Sequence, residues 1–160
     1  MADGRGPKQK ADVVFATNRK AGRDYELLES SEAGLELKGP EIKAIRQRRV
    51  SLDDSFARIE GGQVFLYNMH VSPYEHGGPF NVEPMRVRRV LMHRAQIHRL
   101  DGLVRQKRLT LVPLRLYQQR GVAKIELALA RGRRQYEKRD RVRERESDRD
   151  IQRRLRGTGR

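Results

Sequence analysis

The chain has 160 residues and a formal net charge of +15, from 36 basic and 21 acidic side chains. This length fits one domain with an appendage, and the positive field favours a polyanionic partner, nucleic acid first. The sequence contains no cysteine, which excludes disulfide scaffolds, thiolate metal sites and a cysteine nucleophile. No apolar run approaches the roughly 18 residues of a membrane span. We therefore expect a cytoplasmic protein with no membrane partner.

The basic charge is concentrated towards the C-terminus. Residues 131–160 carry 13 basic and 6 acidic side chains, a net charge of +7, but only four large apolar residues. So few apolar side chains do not offset the entropy of ordering such a segment. We expect a disordered basic leader over residues 1–11, a folded body over residues 12–131 and a basic tail over residues 132–160, disordered without a partner.

The first part of the body is predicted to contain three short strands and a helix. Residues 13–16 form a β-branched and aromatic run, and the alternation in residues 25–28 and 34–37 suggests an antiparallel pair. A helix is predicted from Pro40, because proline suits the first turn and Ile42, Ala44 and Ile45 follow at helical spacing.

The middle of the body is predicted to form a hairpin and a long loop. Residues 56–59 and 64–69 flank Gly61-Gly62, and two glycines permit the positive φ angles of a tight turn. Residues 71–89 contain three prolines and two glycines, which indicates an irregular connection over the surface, either ordered or mobile.

The last part of the body is predicted to form a helix and a second hairpin. Apolar residues at helical spacing predict a helix over residues 94–107, and strands are predicted over 109–117 and 122–130. Pro113 lacks an amide donor, so its strand should lie at an edge or contain a bulge. Many short strands with few helices favour an OB-like antiparallel β-barrel, a mainly β fold that commonly handles oligonucleotides.

Two candidate metal sites are weak. His93 and His98 are five residues apart, which does not place two zinc ligands on one helical face. Asp53 and Asp54 with Glu41 could hold magnesium in a nuclease, but an aspartate pair more often caps a turn. We expect no catalytic residue, no metal and no cofactor.

The best candidate for a recognition surface is the segment Asn18–Tyr25. Its cations Arg19 and Lys20 suit phosphates, Asn18 suits a base edge or a ribose hydroxyl, and Tyr25 suits stacking on an unpaired base. The alternative is a solvated basic loop with Tyr25 packed into the core. A second basic cluster, Arg86, Arg88 and Arg89, is either a further recognition surface or a charged rim on the apolar run that follows it.

Several blocks of the sequence, in the right order from about Val13 onwards, resemble the small protein B family. They are the segments 18–21 (NRKA), 24–25 (DY), 32–34 (EAG), 39–46 (GPEIKAIR), 52–56 (LDDSF), 66–70 (LYNMH), 72–75 (SPYE), 109–114 (LTLVPL) and 129–134 (LARGRR). The chain departs from the family's usual residues at Pro40, at Phe56, where tyrosine is usual, and at Tyr136-Glu137. Phe56 lacks any hydrogen bond that a tyrosine hydroxyl would make there.

The resemblance implies an OB-like barrel that binds the tRNA-like domain of transfer-messenger RNA in bacteria. The complex then enters stalled ribosomes for trans-translation, in which the RNA tags the nascent chain. Through that RNA the protein would meet elongation factor Tu and alanyl-tRNA synthetase indirectly. The resemblance assigns no chemistry to the protein, and we expect a monomer that is not an enzyme.

The resemblance also implies two sets of site residues. The RNA-facing set is Asn18, Arg19, Lys20, Tyr25, Glu32, Arg46, Leu91 and His93. The set implied to act in the decoding region of the small subunit is Gly132, Arg133, Arg134, Tyr136, Glu137, Lys138 and Arg139, with the rest of the tail as a helix in the empty mRNA channel. Glu32 suits a base-edge acceptor or an orienter of Arg46, since a carboxylate accepts from base amino groups and from guanidinium.

Two other functions remain open from the residues alone. A ribosomal structural protein would also have a globular body and a basic extension, and composition does not separate it from a binding protein that visits stalled ribosomes. The magnesium-dependent nuclease is the third hypothesis.

Overall fold

The computed structural model describes residues 13–133, 145–154 and 156. The strands of the body are β1 Val13–Thr17, β2 Tyr25–Leu35, β3 Val50–Ser51, β4 Phe56–Glu60, β5 Gln63–Tyr67, β6 His70–Val71, β7 Arg88–Leu91, β8 Thr110–Gln119 and β9 Val122–Gly132. Its helices are α1 Ala21–Asp24, α2 Gly39–Arg46 and α3 Arg94–Lys107, and Gly78–Phe80 form a short 3₁₀ helix.

Seven of these strands form an antiparallel sheet that closes on itself. The order is β1-β8-β4-β5-β7-β2-β9, and a further pairing between β8 and β9 completes the ring. Leu66, Leu116 and Ile125 are fully buried inside it. The predicted OB-like, mainly β barrel is confirmed, and its closure leaves few unpaired strand edges.

The expected pair of strands at residues 25–28 and 34–37 is wrong, because residues 25–35 form the single strand β2. No glycine or proline interrupts residues 25–33, and β9 offers a partner of equal length along almost all of β2. The last two residues of β2, Gly34 and Leu35, pair with β7, and Gly34 also pairs with Lys124 of β9. Strand β2 therefore links two different walls of the barrel.

Both predicted hairpins are confirmed. Gly61 and Gly62 have φ angles of 57° and 75° between β4 and β5, as a tight turn of this class requires. The register of β8 against β9 shifts between Pro113 and Arg115. The bulge expected at Pro113 is therefore present, although β8 lies inside the sheet rather than at its edge.

The two predicted helices also lie where the sequence places them. At the start of α2, the Lys38 N–H donates to Glu41 Oε1 at 2.9 Å, which satisfies one free amide of the helix end. Helix α3 covers Arg94–Lys107, and its Ile97 and Leu100 are buried against the barrel core. Helix α1 was expected as part of a loop.

The connection over residues 71–89 is an ordered loop around its middle. The Asn81 side chain accepts from the Tyr74 N–H at 3.0 Å and donates to the Tyr74 carbonyl at 2.9 Å. One amide thus closes the loop much as a pair of backbone groups would.

In the tail, residues 145–154 are helical and exposed to solvent. The sequence predicted helix there only with a partner. Local charge pairing explains part of the difference, because Arg153 and Asp150 lie 3.8 Å apart at a spacing that supports a helix. The expectations for the leader over residues 1–11 and for residues 134–144 lie outside the described residues. Within the described ranges, no helix has the length and apolar character needed to span a membrane.

Candidate nucleic-acid interface

A groove of about 620 Å³ lies where β2, β7 and β9 meet the start of α3. Glu32, Leu91 and His93 line it together with Lys124, so the structure unites three of the residues that the resemblance implied. Leu91 is 47% exposed although it is a large apolar side chain. Gly34 lies opposite Leu91, and a Cβ added there would come within 3.2 Å of the Leu91 Cβ. The missing side chain leaves Leu91 room beside the groove.

Glu32 is held in the groove by groups from β8 and β9. The Tyr117 hydroxyl donates to Glu32 Oε2, and Lys124 Nζ lies 3.9 Å from Glu32 Oε1. The expectation that Glu32 orients Arg46 is wrong, because the Glu32 carboxylate contacts Tyr117 and Lys124 instead. The carboxylate still presents acceptor capacity to a base amino group.

The Tyr117 hydroxyl is a hydrogen-bond donor whose position is fixed by its surroundings. Its side chain is buried, and the guanidinium of Arg115 lies 4.4 Å from its ring centroid. Burial and the hydrogen bond to Glu32 raise the pKa of Tyr117 well above its ordinary value. The phenol therefore stays protonated and donates to Glu32 over the whole physiological range.

The predicted loop residues Asn18, Arg19, Lys20 and Tyr25 lie away from the groove. Tyr25 and Glu32 are seven residues apart on β2, which is about 23 Å of extended strand at about 3.3 Å per residue. Arg19 and Lys20 are exposed, as phosphate contacts require. Seven of the eight predicted RNA-facing residues therefore form two separate regions, while Arg46 lies on α2.

Two of these loop residues have packing roles. The Asn18 side chain is buried, and its amide donates to the Pro113 carbonyl at 2.9 Å. Asn18 Oδ1 has no hydrogen-bond partner among the described residues. Tyr25 is half-buried against Ala21, Val112 and Ala130. Both side chains anchor the loop to the barrel, and RNA contact by either one stays a prediction.

The second basic cluster is mostly structural. Arg88 is fully buried and its Nε donates to Glu41 Oε2 at 2.6 Å. Arg86 forms an ion pair with the other oxygen of Glu41, while Arg89 is half-exposed and pairs with Glu36 at 2.9 Å. Only Arg89 of the three reaches the groove. Arg46, at the end of α2, is exposed and has no ion-pair partner among the described residues.

The buried pair with Arg88 also removes Glu41 from any metal site. Burial raises the pKa of Glu41, but hydrogen bonds from Arg86, the Lys38 N–H and Arg88 outweigh it and hold the pKa below the usual range. Both carboxylate oxygens are thus occupied by donors, which contradicts a role in binding magnesium. Nowhere in the described ranges do three histidines, cysteines or carboxylates gather as a metal site would need.

Comparisons with known proteins identify the relatives of this chain. A family model described as SmpB protein matches residues 15–157. The chain belongs to this family. An SsrA-binding protein of Caldicellulosiruptor bescii is 52% identical over 92% of this chain and 94% of its own length. One of Carboxydothermus hydrogenoformans is 55% identical over 91% of this chain and 97% of its own.

A solved structure agrees with the SmpB assignment. A chain described under "tmRNA-SmpB: a journey to the center of the bacterial ribosome" is 47% identical to this one. The two chains superpose with a TM-score of 0.64 over 79% of this chain and 93% of the other. The barrel described above is therefore that of the SmpB family.

The tail of this SmpB-family chain leaves the barrel beside the first loop. Gly132 pairs with Tyr25 at the end of β9, and the Arg133 N–H donates to the Asp24 carbonyl at 3.1 Å. The φ angle of Gly132 does not lie in the positive range that favours glycine. Other residues could therefore adopt the same backbone conformation at this position. The other predicted decoding-region residues, Arg134, Tyr136, Glu137, Lys138 and Arg139, lie outside the described residues.

Sequence reasoning missed Lys124, which lines the groove, and buried Tyr117, which supports Glu32 there. Lys124 and Tyr117 both contact Glu32, but Tyr117 is 85 residues away from it in the chain. Their positions follow only from the register in which β2 and β8 both pair with β9. The one sequence signal was the alternation of β9, which places Lys124 and Glu126 on the face opposite to buried Ile125.

Proposed function

We propose that this chain binds the tRNA-like domain of SsrA RNA, the transfer-messenger RNA, and delivers it to stalled ribosomes for trans-translation. The proposal rests above all on the groove, where exposed Leu91 lies beside a fixed carboxylate and a lysine in a chain of the SmpB family. The SsrA-binding relatives match along nearly their whole length, which supports the same partner for this chain.

The groove suits structured RNA with an exposed base or loop. Leu91 offers an apolar surface to a base or ribose, Glu32 accepts from an amino group, and Lys124 and Arg94 attract phosphate. His93 precedes α3 at its N-terminus and is exposed, so it is accessible for stacking or hydrogen bonding. No step of bond making or breaking is assigned to these residues.

The proposal also assigns a role to the basic tail. Residues 132–160 would act in the decoding region and the vacant mRNA channel of the small subunit, since the tail is basic and leaves the body at Gly132, beside Tyr25 and Asp24. Such a protein works in the cytoplasm as a monomer. It meets elongation factor Tu and alanyl-tRNA synthetase only through the RNA.

The groove is tested by titrating a labelled transcript of the tRNA-like domain with the full chain. The double variant Glu32→Gln, Leu91→Ala should bind at least about tenfold more weakly, because each specific base contact contributes about 1–3 kcal/mol. Leu28→Ala is the matched control, since Leu28 is 44% exposed on β2 but does not line the groove. Equal affinity of the double variant and the wild type would remove the groove from the proposal.

The first loop needs its own test because it lies far from the groove. The double variant Arg19→Ala, Lys20→Ala should weaken binding and flatten its dependence on salt. Each lost phosphate contact lowers the slope of log affinity against log salt by about 0.7 to 0.9. An unchanged slope would show that this loop does not face the tRNA-like domain.

A further inference from the structure

The outer face of the hairpin β4–β5 carries aromatic side chains that do not belong to the core. Phe56 pairs across the strands with Tyr67, and Arg58 pairs with Phe65. The alternate residues Ala57, Val64 and Leu66 are buried inside the barrel. Strand geometry therefore places Phe56, Arg58, Phe65 and Tyr67 together on the solvent side.

These side chains form an ordered stack. The rings of Phe56 and Tyr67 are nearly parallel, with an interplanar angle of 8° and centroids 5.4 Å apart. The Arg58 guanidinium carbon lies 5.2 Å from the first centroid and 5.7 Å from the second. The Tyr67 hydroxyl donates to Glu60 at 2.9 Å, which fixes the ring. We call Phe56, Arg58 and Tyr67 the aromatic platform.

Arg58 differs from most other arginines of the barrel. Arg88, Arg89 and Arg115 each pair with a glutamate, whereas Arg58 has no carboxylate or hydrogen-bond partner in the part of the chain that the structure describes. Its charge is held in place by rings, so its N–H donors remain available to a ligand. A guanidinium that is already positioned also loses less side-chain freedom on binding.

The platform is continuous with the RNA groove. Phe65 pairs with Arg89 across β5 and β7, and both Arg89 and Gln63 line the groove. Adjacent strands lie about 4.8 Å apart, so an RNA held at Leu91 reaches the platform two strands further on.

We propose that the aromatic platform binds an unpaired base of the RNA that occupies the groove, with the base stacked on the Arg58 guanidinium. Bases stack readily on arginine planes and on aromatic rings, and the arginine donors can reach the adjoining phosphate. This inference rests on the proposed function, because the groove supplies the RNA. RNA suits this site because its phosphates are anionic and its bases are flat. Arg58 supplies a cation that lies over the rings of Phe56 and Tyr67.

The test compares two substitutions of Arg58 in the full chain, titrated against the tRNA-like-domain transcript. Arg58→Leu should weaken binding by about tenfold, the order of one lost base stack, and should flatten the salt dependence. Arg58→Lys keeps the charge but loses the planar group, so it should also weaken binding while leaving the salt slope nearly unchanged. Arg49→Lys is the matched control, since Arg49 is exposed and pairs with Glu75 away from the platform.

The outcomes separate the platform from the groove. Thermal unfolding checks that both Arg58 variants fold, and Arg58→Lys retains a cation over the rings. Wild-type affinity in both variants, alongside weak binding by Glu32→Gln, Leu91→Ala, would overturn the platform and leave the proposed function standing. Wild-type RNA affinity with impaired peptide tagging on ribosomes would also overturn it, because the occupant would then be ribosomal. Failure of the wild-type chain to bind the transcript would instead contradict the proposed function.

Discussion

Among single residues, the proposed RNA contact in the groove depends most on how the Glu32 carboxylate is fixed in place. A carboxylate on an exposed strand would normally sample several rotamers, but here Tyr117 donates to one oxygen and Lys124 approaches the other. The family resemblance pointed to Glu32, and of the two roles predicted for it the orienting of Arg46 is wrong, while the base-edge acceptor stays a prediction. Partners across a barrel follow from strand register, and neither charge nor spacing along the chain contains that information.

Tyr117→Phe tests the positioning of Glu32. The substitution keeps the buried ring and removes only the donor, so the fold should be retained while RNA binding weakens by about two- to tenfold, since one hydrogen bond to a charged group is lost. Anisotropy titration with the tRNA-like domain gives the affinity, and thermal unfolding gives the stability. Wild-type affinity in a folded Tyr117→Phe chain would show that Glu32 needs no such support.

The stability of the barrel should depend on Tyr117 at high pH. Burial and Glu32 raise its folded pKa above the value of about 10 in the unfolded chain. The stabilisation is therefore fully present below about pH 10 and is lost as the pH rises towards the folded pKa. Denaturant unfolding between pH 8 and pH 11 should show a steeper fall for the wild type than for Tyr117→Phe, and parallel curves would refute this coupling.

The absence of a hydroxyl group on Phe56 leaves the contacts of its ring unchanged. The Phe56 ring stacks on Tyr67 and lies beneath Arg58, and neither contact uses a hydroxyl. Phenylalanine therefore maintains the aromatic platform at a position where the family usually has tyrosine.

At the scale of elements, α2 is fixed to the barrel by a buried ion pair. Glu41 on α2 meets Arg88 on β7, and both side chains are almost fully buried. Arg88 also donates to the carbonyls of Met69 and Pro84, so one guanidinium connects α2, β7 and the long loop. The sequence left open whether this arginine cluster faces RNA or is a charged rim, because burial of a charged residue leaves no mark on composition or spacing.

Glu41→Gln should destabilise the barrel by about 3–5 kcal/mol, because it leaves the Arg88 charge buried without a counter-charge. Glu36→Gln is the matched control. Its partner Arg89 is half-exposed, and an exposed pair contributes about 1 kcal/mol or less. Urea unfolding of both variants compares the two free energies, and equal losses would contradict the distinction between buried and exposed pairs.

Other elements differed in how readily the sequence predicted them. The hairpin at Gly61-Gly62 and helix α3 were predicted closely, since turn glycines and helical spacing are local signals. Strand β2 was not, because its length is set by pairing with β9. The groove was missed as a shape for the same reason: β2, β9 and the consecutive elements β7 and α3 come from three distant parts of the chain.

Across the whole molecule, the predicted RNA-facing residues other than Arg46 fall into two regions. The groove lies at one end of β2, and the first loop lies with the root of the tail at the other. An RNA that contacts both the groove and the first loop therefore has to span most of the length of β2. The family resemblance identified the residues but did not place them relative to one another.

Truncation after Gly132 separates the body from the tail. The shortened chain keeps the groove and every described strand, so it should bind the tRNA-like domain with only modestly lower affinity, owing to the lost positive charge. It should not support peptide tagging, because nothing would fill the decoding region. A reconstituted stalled-ribosome assay measures RNA binding and peptidyl transfer separately, and full tagging by the truncated chain would make the tail a solubilising appendage.

We expect one RNA with a tRNA-like end to be the partner of this barrel, and sequencing the RNA that co-purifies with the tagged full chain from its native lysate tests this expectation. A single stable RNA with such an end should dominate the wild-type sample and should be depleted with Glu32→Gln, Leu91→Ala. Ribosomal RNA in proportions equal for the wild type and the variant, without enrichment of any such RNA, would contradict it and favour a structural ribosomal protein.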